Sequence, residues 1–353
     1  MRVLFLYTGH RKELLEKAQK GEDPGGGLWG LWPLKQRGVQ AELLELEQFF
    51  PIRIARFLRA RVLGHYNAHL PLLPFLFRYD IVFTAGAFTT QIVFTVLQQL
   101  FRFKRPVWVM HDFSIIGLLG EGKTLKQKVF AWAVARTGGI VTVGKKESEA
   151  LKSRFAHLAS RIAYIPFGVD TEWFKPQPHV PEERLVITVG IDPDRDWPAF
   201  FEAVKDIDAK VIVAGSGRRS KRFNPPPSVE VRMFTPKEMV DLYARAAVVV
   251  IPLDTSSRVN DAMGLSTLYE AMAMGKAIVV SHTDHTESYI QNSENGMLVP
   301  QKDAGAMRRA VLELLENRDK RVQLGKSARA YAERELAYEK TGKDLIAFFE
   351  QLR

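Results

Sequence analysis

Twelve short apolar runs that alternate with helix-length segments constrain the fold of this chain more than any other feature. Such runs, rich in Val and Ile, are typical of βαβ units and parallel sheets. Six lie in the first half: Val3–Tyr7, Val39–Leu46, Ile81–Thr84, Val107–Met110, Ile140–Val143 and Arg161–Ile165. Six more lie in the second half: Leu185–Val189, Lys210–Ala214, Val229–Met233, Val248–Ile251, Ala277–Ser281 and Gly296–Val299. The pattern predicts an α/β protein with two Rossmann-like domains facing a cleft.

The boundary between the domains is predicted after the sixth run. The segment Ile165–Asp170 leads into a connector with Pro176, Pro178 and Pro181, which neither forms a helix nor pairs well in a sheet. A length of 353 residues suits two domains of about 150 residues each. We therefore predict a first domain over 1–168, a second over 169–337, and a final helix over 338–353.

Composition excludes several kinds of protein. Hydrophobic residues make up 46% and charged residues 25% of the chain, which favours two full cores over long disordered tracts. The chain has no cysteine, so it forms no disulfide, thiolate nucleophile or cysteine-ligated zinc site. Met1–Thr8 reads directly as a strand and not as a signal peptide. We expect a cytoplasmic protein.

One uncharged stretch, residues 81–101, is long enough to span a bilayer. Gly86, Gln91, Gln98 and Gln99 make it polar for a membrane helix, and it divides naturally into a strand and a helix. We predict a strand over 81–84 and a helix over 88–101.

The net charge of +10 suggests an anionic partner, and a basic stretch between Phe49 and Arg78 concentrates part of it. The stretch contains no acidic residue and alternates arginines with bulky apolar side chains; its arginines include Arg53, Arg56, Arg59 and Arg61. One interpretation is a peripheral surface on the inner face of the cell membrane that binds anionic headgroups and a lipid-linked acceptor. The other is an ordinary helix with a solvated basic face. The stretch lacks the motifs of nucleic-acid-binding proteins, so we expect no nucleic-acid partner.

The segment Val248–Ser281 carries the clearest site signal, because it reads as strand, loop, helix, glycine stop and strand. Backbone N–H groups at the start of the helix point outward, where the helix dipole favours a phosphate. The predicted diphosphate site comprises Gly264, Leu265, Ser266 and Thr267. Thr267 and Glu270 also have the spacing of a capping box, so one explanation of Glu270 is that it caps its own helix.

The same segment resembles the retaining glycosyltransferases of family 4 (glycosyl transferases group 1), which have the GT-B fold. The resemblance is carried by Glu270–Lys276 before an apolar strand and by Ile165–Asp170 about a hundred residues earlier. Further matches are Val189–Gly190, Val213–Gly217 and Tyr243–Ala247. It implies a donor site that includes Gly190 and Gly215, and a final helix that crosses back to the first domain.

The resemblance implies that Glu270 binds the ribose hydroxyls of the donor nucleotide. The family's other glutamate, eight residues earlier, is replaced here by Ala262, and Asp261 is our candidate to substitute for it. Of the two basic residues that usually follow the Val-Gly turn, the first is missing. Arg195 is the candidate for the second, and Arg258 the candidate for the other cation. The alternative for both arginines is a surface ion pair with a neighbouring aspartate.

The spacing of Asp192, Asp194 and Asp196 permits a divalent-metal site, because alternate carboxylates can chelate Mg²⁺. We expect no metal and no other cofactor, because the helix N-terminus and arginines can neutralise a diphosphate and the resemblance is to metal-independent enzymes.

Two features of the first domain complete the predicted site. His111 ends the strand that begins at Val107, at the carboxyl edge where open α/β sheets bind ligands, and it matches the family's strand-then-His-Asp pattern. We assign it to hydrogen bonding or charge stabilisation near the donor sugar or the acceptor. Gly26 and Gly27 belong to a glycine run that would let backbone approach the diphosphate, although such a run is also typical of a flexible turn.

The predicted function is transfer of a sugar, with retention, from a nucleotide-sugar to a hydroxyl acceptor. UDP-sugars are favoured, GDP-sugars come next, and a glycan or lipid-linked acceptor is expected. The catalytic candidates are His111, Asp261 and Arg195. Rival functions are a sugar-nucleotide epimerase or phosphorylase of the same fold, and a non-catalytic basic protein that binds lipid surfaces.

Overall fold

The computed structural model describes residues 1–112, 115–190, 195–215, 220–255 and 263–353. It divides into two compact units. The first unit comprises Met1–Gly21, Gly27–Phe167 and Thr341–Arg353, and the second comprises Glu22–Gly26 and Gly168–Lys340. The residues from Thr341 onward thus return to the first unit, as predicted for the final helix.

The first unit contains a six-stranded sheet, and each of the first six apolar runs supplies one strand. The strands are β1 (Arg2–Tyr7), β2 (Gln40–Leu43), β3 (Ile81–Ala85), β4 (Val107–His111), β5 (Gly139–Thr142) and β6 (Ile162–Tyr164). They pair in the order β2-β1-β3-β4-β5-β6, and every pairing between them is parallel.

The second unit contains a parallel six-stranded sheet built from the other six runs. Its strands are β7 (Leu185–Val189), β8 (Lys210–Ala214), β9 (Val229–Arg232), β10 (Val248–Ile251), β11 (Ala277–Ser281) and β12 (Met297–Val299). The order is β12-β11-β10-β7-β8-β9. Numbered within the unit this is the order 3-2-1-4-5-6, which defines a Rossmann sheet.

Helices follow the strands in both units. In the first unit the described helices are α1 (Lys12–Gln19), α2 (Leu31–Gln36), α3 (Ile52–Phe57), α4 (Gly64–Asn67), α5 (Leu73–Leu76), α6 (Phe88–Phe101), α7 (Ile115–Leu119), α8 (Leu125–Val134) and α9 (Lys145–Arg154). After residue 168 they are α10 (Trp197–Ala203), α11 (Pro236–Arg245), α12 (Leu265–Ala273), α13 (Ala304–Glu316), α14 (Arg318–Tyr331) and α15 (Tyr338–Gln351).

The strands are apolar throughout because helices cover both faces of each sheet. Val248, Val249 and Val250 of β10 are all fully buried although their side chains point to alternate faces. In the first unit, Phe349 of α15 is buried and its ring lies 5.6 Å from the ring of Phe83 on β3. The final helix therefore completes the core of the first unit.

The uncharged stretch 81–101 divides into β3 and α6, as predicted. The side chains of Thr90, Gln91 and Thr95 on α6 are buried, so this helix packs its polar residues against the unit. Within the described ranges, no helix combines the length and hydrophobicity needed to cross a membrane.

Candidate functional site

The two central strands of the second sheet create a crevice at their carboxyl ends. β7 and β10 are neighbours, yet the chain leaves β7 toward one edge of the sheet and leaves β10 toward the other. Ligands of open α/β proteins bind at such a switch point, outside the carboxyl ends of the strands. β7 ends at Val189 and β10 ends at Ile251, and α12 is the next described helix after β10.

Gly264 determines how α12 begins. Its φ of 78° is left-handed, and a Cβ at this position would lie 3.0 Å from a methyl carbon of Leu253 and 3.1 Å from one of Ile251. Glycine is therefore needed here for both conformation and space. No side chain caps the helix, so the N–H groups of its first turn, from Leu265 through Thr267, have no partner within the helix. The predicted anion site has the helix N-terminus that it requires.

Thr267 ties this helix to the central strand β7. Its hydroxyl donates to the carbonyl oxygen of Val189 at 3.0 Å and accepts from Nη2 of Arg195 at 3.1 Å. Thr267 lies inside α12 and its side chain points to the end of β7. The capping-box explanation of Thr267 and Glu270 is therefore wrong, because the helix begins at Leu265 and the hydroxyl serves a tertiary contact.

Glu270 lies on the next turn of α12 and is held by a buried tyrosine. The hydroxyl of Tyr243, on α11, donates to Oε2 of Glu270 at 2.9 Å, and Tyr243 itself is fully buried. Burial raises the pKa of Glu270 to about 7, although the Tyr243 hydroxyl and the charge of Arg195 both lower it. The carboxyl group therefore changes its charge near neutral pH.

Arg195 lies beside these groups and is almost completely buried, with 3% of its surface exposed. The surface ion-pair alternative for Arg195 is therefore wrong. The backbone of Arg195 forms an isolated antiparallel bridge with Leu253, just after β10. Its role as a cation for a diphosphate stays a prediction.

His111 is the last residue of β4 and lies at the carboxyl edge of the first sheet, where the sequence places it. Its ring packs 5.1 Å from that of Phe83, and 5% of its surface is exposed. Burial lowers the pKa of His111 to about 3. The imidazole is therefore neutral at physiological pH, which suits hydrogen bonding and not a positive charge.

The predicted glycines fall at strand ends and in one short helix. Gly190 follows β7 with a φ of 130°, and its N–H donates to the carbonyl of Ala214. Gly215 follows β8 directly. Gly26 and Gly27 lie in a 3₁₀ helix, Gly26–Leu28, so this part of the glycine run is not a flexible turn. A Cβ at Gly27 would approach a methyl carbon of Leu14 to 2.8 Å, so packing also explains that glycine.

Residues 193–317, which contain this cluster, match the family model described as Glycosyl transferases group 1. The predicted resemblance to glycosyl transferases group 1 is confirmed.

Two curated proteins are similar to this chain in sequence. It is 30% identical over 227 residues to D-inositol 3-phosphate glycosyltransferase of Corynebacterium urealyticum, covering 55% of this chain and 52% of that one. It is 24% identical over 212 residues to the GDP-mannose-dependent alpha-(1-6)-phosphatidylinositol monomannoside mannosyltransferase of Mycobacterium tuberculosis, covering 52% and 55%. The chain thus spans about half the length of these relatives.

The crystal structure of Anabaena HepE in complex with UDP has a similar fold. The TM-score is 0.67 at 14% identity, and the match covers 99% of this chain and 100% of that chain. The predicted fold class, with two Rossmann-like units in the manner of GT-B glycosyltransferases, is confirmed.

Several residues of the predicted donor site lie outside the described residues: Asp192, Asp194, Arg258, Asp261 and Ala262. Their roles stay predictions. The third aspartate of the acidic run, Asp196, is described and is structural, because its two oxygens accept from the N–H groups of Ala199 and Lys302. It caps α10 and is not a free metal ligand.

A different cluster has the atoms of a possible metal site. In the described part of the chain, one group of His, Asp and Glu side chains brings its ligand atoms within 4.8 Å of one another, and it consists of His10, Glu45 and Glu47. Glu45 contacts His10 and accepts the N–H of Arg11, while Glu47 pairs with Arg59 at 2.7 Å. The Arg59 guanidinium supplies the positive charge of this ion-pair network, so we assign no metal to it.

The basic stretch forms α3 and a π-helical turn, Leu58–Leu63. The prediction of a basic surface is wrong for Arg59, because the Glu47 pair leaves 14% of its side chain exposed. Arg53, Arg56 and Arg61 are exposed.

Apolar side chains of the same stretch are exposed as well: Ile52 at 41%, Ile54 at 49%, Phe57 at 59% and Val62 at 63%. Ala55 is the buried residue of α3, and the exposed arginines also fit an ordinary helix with a solvated basic face, so both interpretations of the stretch stay predictions.

No role is predicted for Tyr243 from the sequence, although this residue begins one of the segments that carry the family resemblance. Its hydroxyl is the hydrogen-bond partner of Glu270 across two helices. A tyrosine at the inner face of an amphipathic helix reads as a core residue, and its sequence context does not reveal the carboxylate that it meets.

Proposed function

We propose that this chain transfers a sugar, with retention of configuration, from a nucleotide-sugar donor to a hydroxyl acceptor. The observation that carries the proposal is the cluster of Arg195, Thr267 and Glu270 at the N-terminus of α12. This cluster combines a buried cation, the N-terminus of a helix without a side-chain cap and a carboxylate at the switch point of a Rossmann sheet. A nucleoside diphosphate presents the matching groups, which are two phosphates and a ribose diol.

A UDP-sugar is the donor we favour, and a GDP-sugar comes next. The fold match is to a protein crystallised with UDP, and one relative is named as GDP-mannose-dependent. In the proposed complex Glu270 accepts hydrogen bonds from the ribose hydroxyls, and Tyr243 fixes its orientation. The ionised carboxylate is the better acceptor, so we expect nucleotide affinity to fall as the pH drops below about 7.

The proposed chemistry needs stabilisation of the departing diphosphate. As the bond between the anomeric carbon and the phosphate oxygen breaks, negative charge grows on the phosphate, and Arg195 and the α12 N-terminus oppose it without a metal. The acceptor oxygen bonds to the same face of the anomeric carbon, and its proton passes to the departing phosphate. Neutral His111 serves as a hydrogen-bonding group toward the sugar or acceptor.

We propose a glycolipid or other lipid-linked acceptor at the inner surface of the cell membrane. The exposed arginines and exposed apolar side chains of 52–62 share one short segment, which suits the boundary between anionic headgroups and acyl chains. The name of the mycobacterial relative contains phosphatidylinositol, which supports an acceptor of this kind.

The first test is a thermal-shift screen of UDP, GDP, ADP and CDP, because a ligand that binds the folded chain stabilises it by mass action. At a hundredfold excess over Kd we expect a rise in Tm of roughly 5–10 °C with one nucleotide. Glu270→Ala should remove the rise, and Glu202→Ala, which changes an exposed glutamate of α10, should keep it. A rise that survives Glu270→Ala would exclude this carboxylate as a nucleotide contact.

The second test identifies products from the matching nucleotide-sugar. A transferase releases nucleotide only with an acceptor and forms a glycoside whose anomeric configuration equals that of the donor. An epimerase converts the donor without an acceptor, and a phosphorylase needs inorganic phosphate. Inversion at the anomeric carbon would contradict retention.

A third test measures cosedimentation with vesicles that contain an anionic phospholipid. We expect binding at low salt that weakens as salt rises, and a loss on Arg53→Glu with Arg56→Glu. Arg318→Glu is the matched control, because Arg318 is an exposed arginine of the second unit. Equal binding of neutral and anionic vesicles would exclude the basic surface as the cause.

A further inference from the structure

A separate apolar cavity lies within the first unit, between α4, α6, α7 and α8. Its volume is about 220 Å³. Its walls include Phe88 and Ile92 of α6, Leu118 of α7 and Phe130 of α8. The Phe88 and Phe130 rings meet edge to face, with centroids 5.0 Å apart. A concave, mostly apolar surface with a few polar groups is the usual form of a ligand site, so the cavity is a candidate binding site.

Among the described residues that line this cavity, one side chain is charged. It belongs to Lys126, which is exposed near the start of α8. Lys123 and Lys128 flank it, and Glu121, the acidic residue of this stretch, pairs with Lys123. An occupant is therefore apolar where it enters the cavity and negatively charged where it leaves it.

The cavity also adjoins the segment that carries the exposed apolar surface. Asn67 contributes to the cavity wall and is the last residue of α4, which directly follows the π-helical turn Leu58–Leu63. The outer face of α8 is apolar as well, with Leu125 at 78% and Val129 at 36% exposure. An acyl chain that leaves a lipid surface can therefore reach the cavity by passing along apolar side chains.

We propose that this cavity binds one acyl chain of an anionic lipid, with the acidic headgroup at Lys126. A cavity of about 220 Å³ has room for several methylene groups, each about as large as a water molecule. The cavity belongs to the first unit, whereas the proposed nucleotide cluster belongs to the second. The suggestion that the cavity holds an acyl chain of the lipid acceptor rests on the proposed function.

Binding of hexyl, octyl and decyl phosphate to the whole chain, each below its micelle concentration and without nucleotide, tests the proposal by titration calorimetry. We expect affinity to rise about fourfold for each methylene that enters the cavity and to level off once added methylenes extend beyond it. Inorganic phosphate should not bind detectably, which distinguishes an acyl-chain site from a phosphate site.

Two variants test where the ligand lies. Ile92→Phe fills the cavity and should lower octyl phosphate affinity at least tenfold. Lys126→Glu reverses an exposed charge without disturbing the core, and it should lower octyl phosphate affinity about tenfold while leaving the weaker binding of neutral octanol unchanged. Lys128→Glu is the matched control for the same charge change on the same helix.

Affinity that does not depend on chain length, or binding that both Ile92→Phe and Lys126→Glu leave unchanged, would overturn the proposal. If alkyl phosphates do not bind but a nucleotide still raises Tm, the lipid-binding proposal is contradicted and the proposed transfer reaction is unaffected. If alkyl phosphates bind but no nucleotide raises Tm, the lipid-binding proposal is supported and the proposed transferase function is contradicted.

Discussion

The raised pKa of Glu270 should make the free energy of unfolding depend on pH, and Glu270→Gln should remove this dependence. Its folded-state pKa of about 7 lies above the ordinary value of 4.5, so the unfolded chain releases this proton first. Stability therefore falls as the pH rises from about 4.5 to about 7 and is constant above that range. Glu270→Gln cannot ionise, and its amide oxygen can accept the same hydrogen bond from Tyr243.

The size of the effect follows from the two pKa values. Linkage gives a destabilisation by Glu270 of about 0.8 kcal/mol at pH 5 and about 3.4 kcal/mol at pH 8.5. Relative to Glu270→Gln, the protein with Glu270 should therefore lose about 2.5 kcal/mol between these two pH values. For a unit of this size the loss corresponds to roughly 5–10 °C in Tm.

Differential scanning calorimetry at pH 5 and pH 8.5 measures this difference directly. Glu202→Gln is the control, because Glu202 lies on α10 of the same unit and is exposed, so its substitution should leave the pH dependence of Tm unchanged. If Glu270→Gln shows the same change in Tm with pH as Glu202→Gln, Glu270 is ionised throughout and its burial does not perturb it. The reasoning from desolvation would then be refuted.

Four further substitutions test the local structure by calorimetry. Tyr243→Phe removes the donor that favours ionised Glu270, so the folded-state pKa of that carboxyl should rise and the fall in stability should continue about one pH unit further, to about pH 8. Gly264→Ala should cost about 2–3 kcal/mol because of its left-handed φ and crowded Cβ, whereas Gly26→Ala, with no atom within 4 Å, should cost less than about 1 kcal/mol. Gly325→Ala on α14 should be more destabilising than either, because its Cβ would lie 2.1 Å from a backbone oxygen; a Tm within about 2 °C of the parent protein would contradict that packing.

Much of the fold follows from local sequence. The twelve apolar runs all became strands, because a strand buried on both faces must be continuously apolar and its ends are marked by polar residues or glycine. The helix over 88–101 also agrees with its predicted bounds. The positions of Gly264 and of His111 follow from the same pattern, since a residue at the end of a run lies at the carboxyl edge of the sheet.

The tertiary structure decided which side chains meet. Tyr243 and Glu270 lie on different helices, and Arg195 reaches Thr267 across 72 positions of sequence. Arg59 pairs with Glu47, which lies just outside the basic stretch in the sequence. Periodicity fixes the face on which a residue lies but not the element that covers that face. The carboxyl with a pKa near 7, the loss of one predicted surface arginine and the apolar cavity all arise from packing between elements distant in sequence, so only the folded chain shows them.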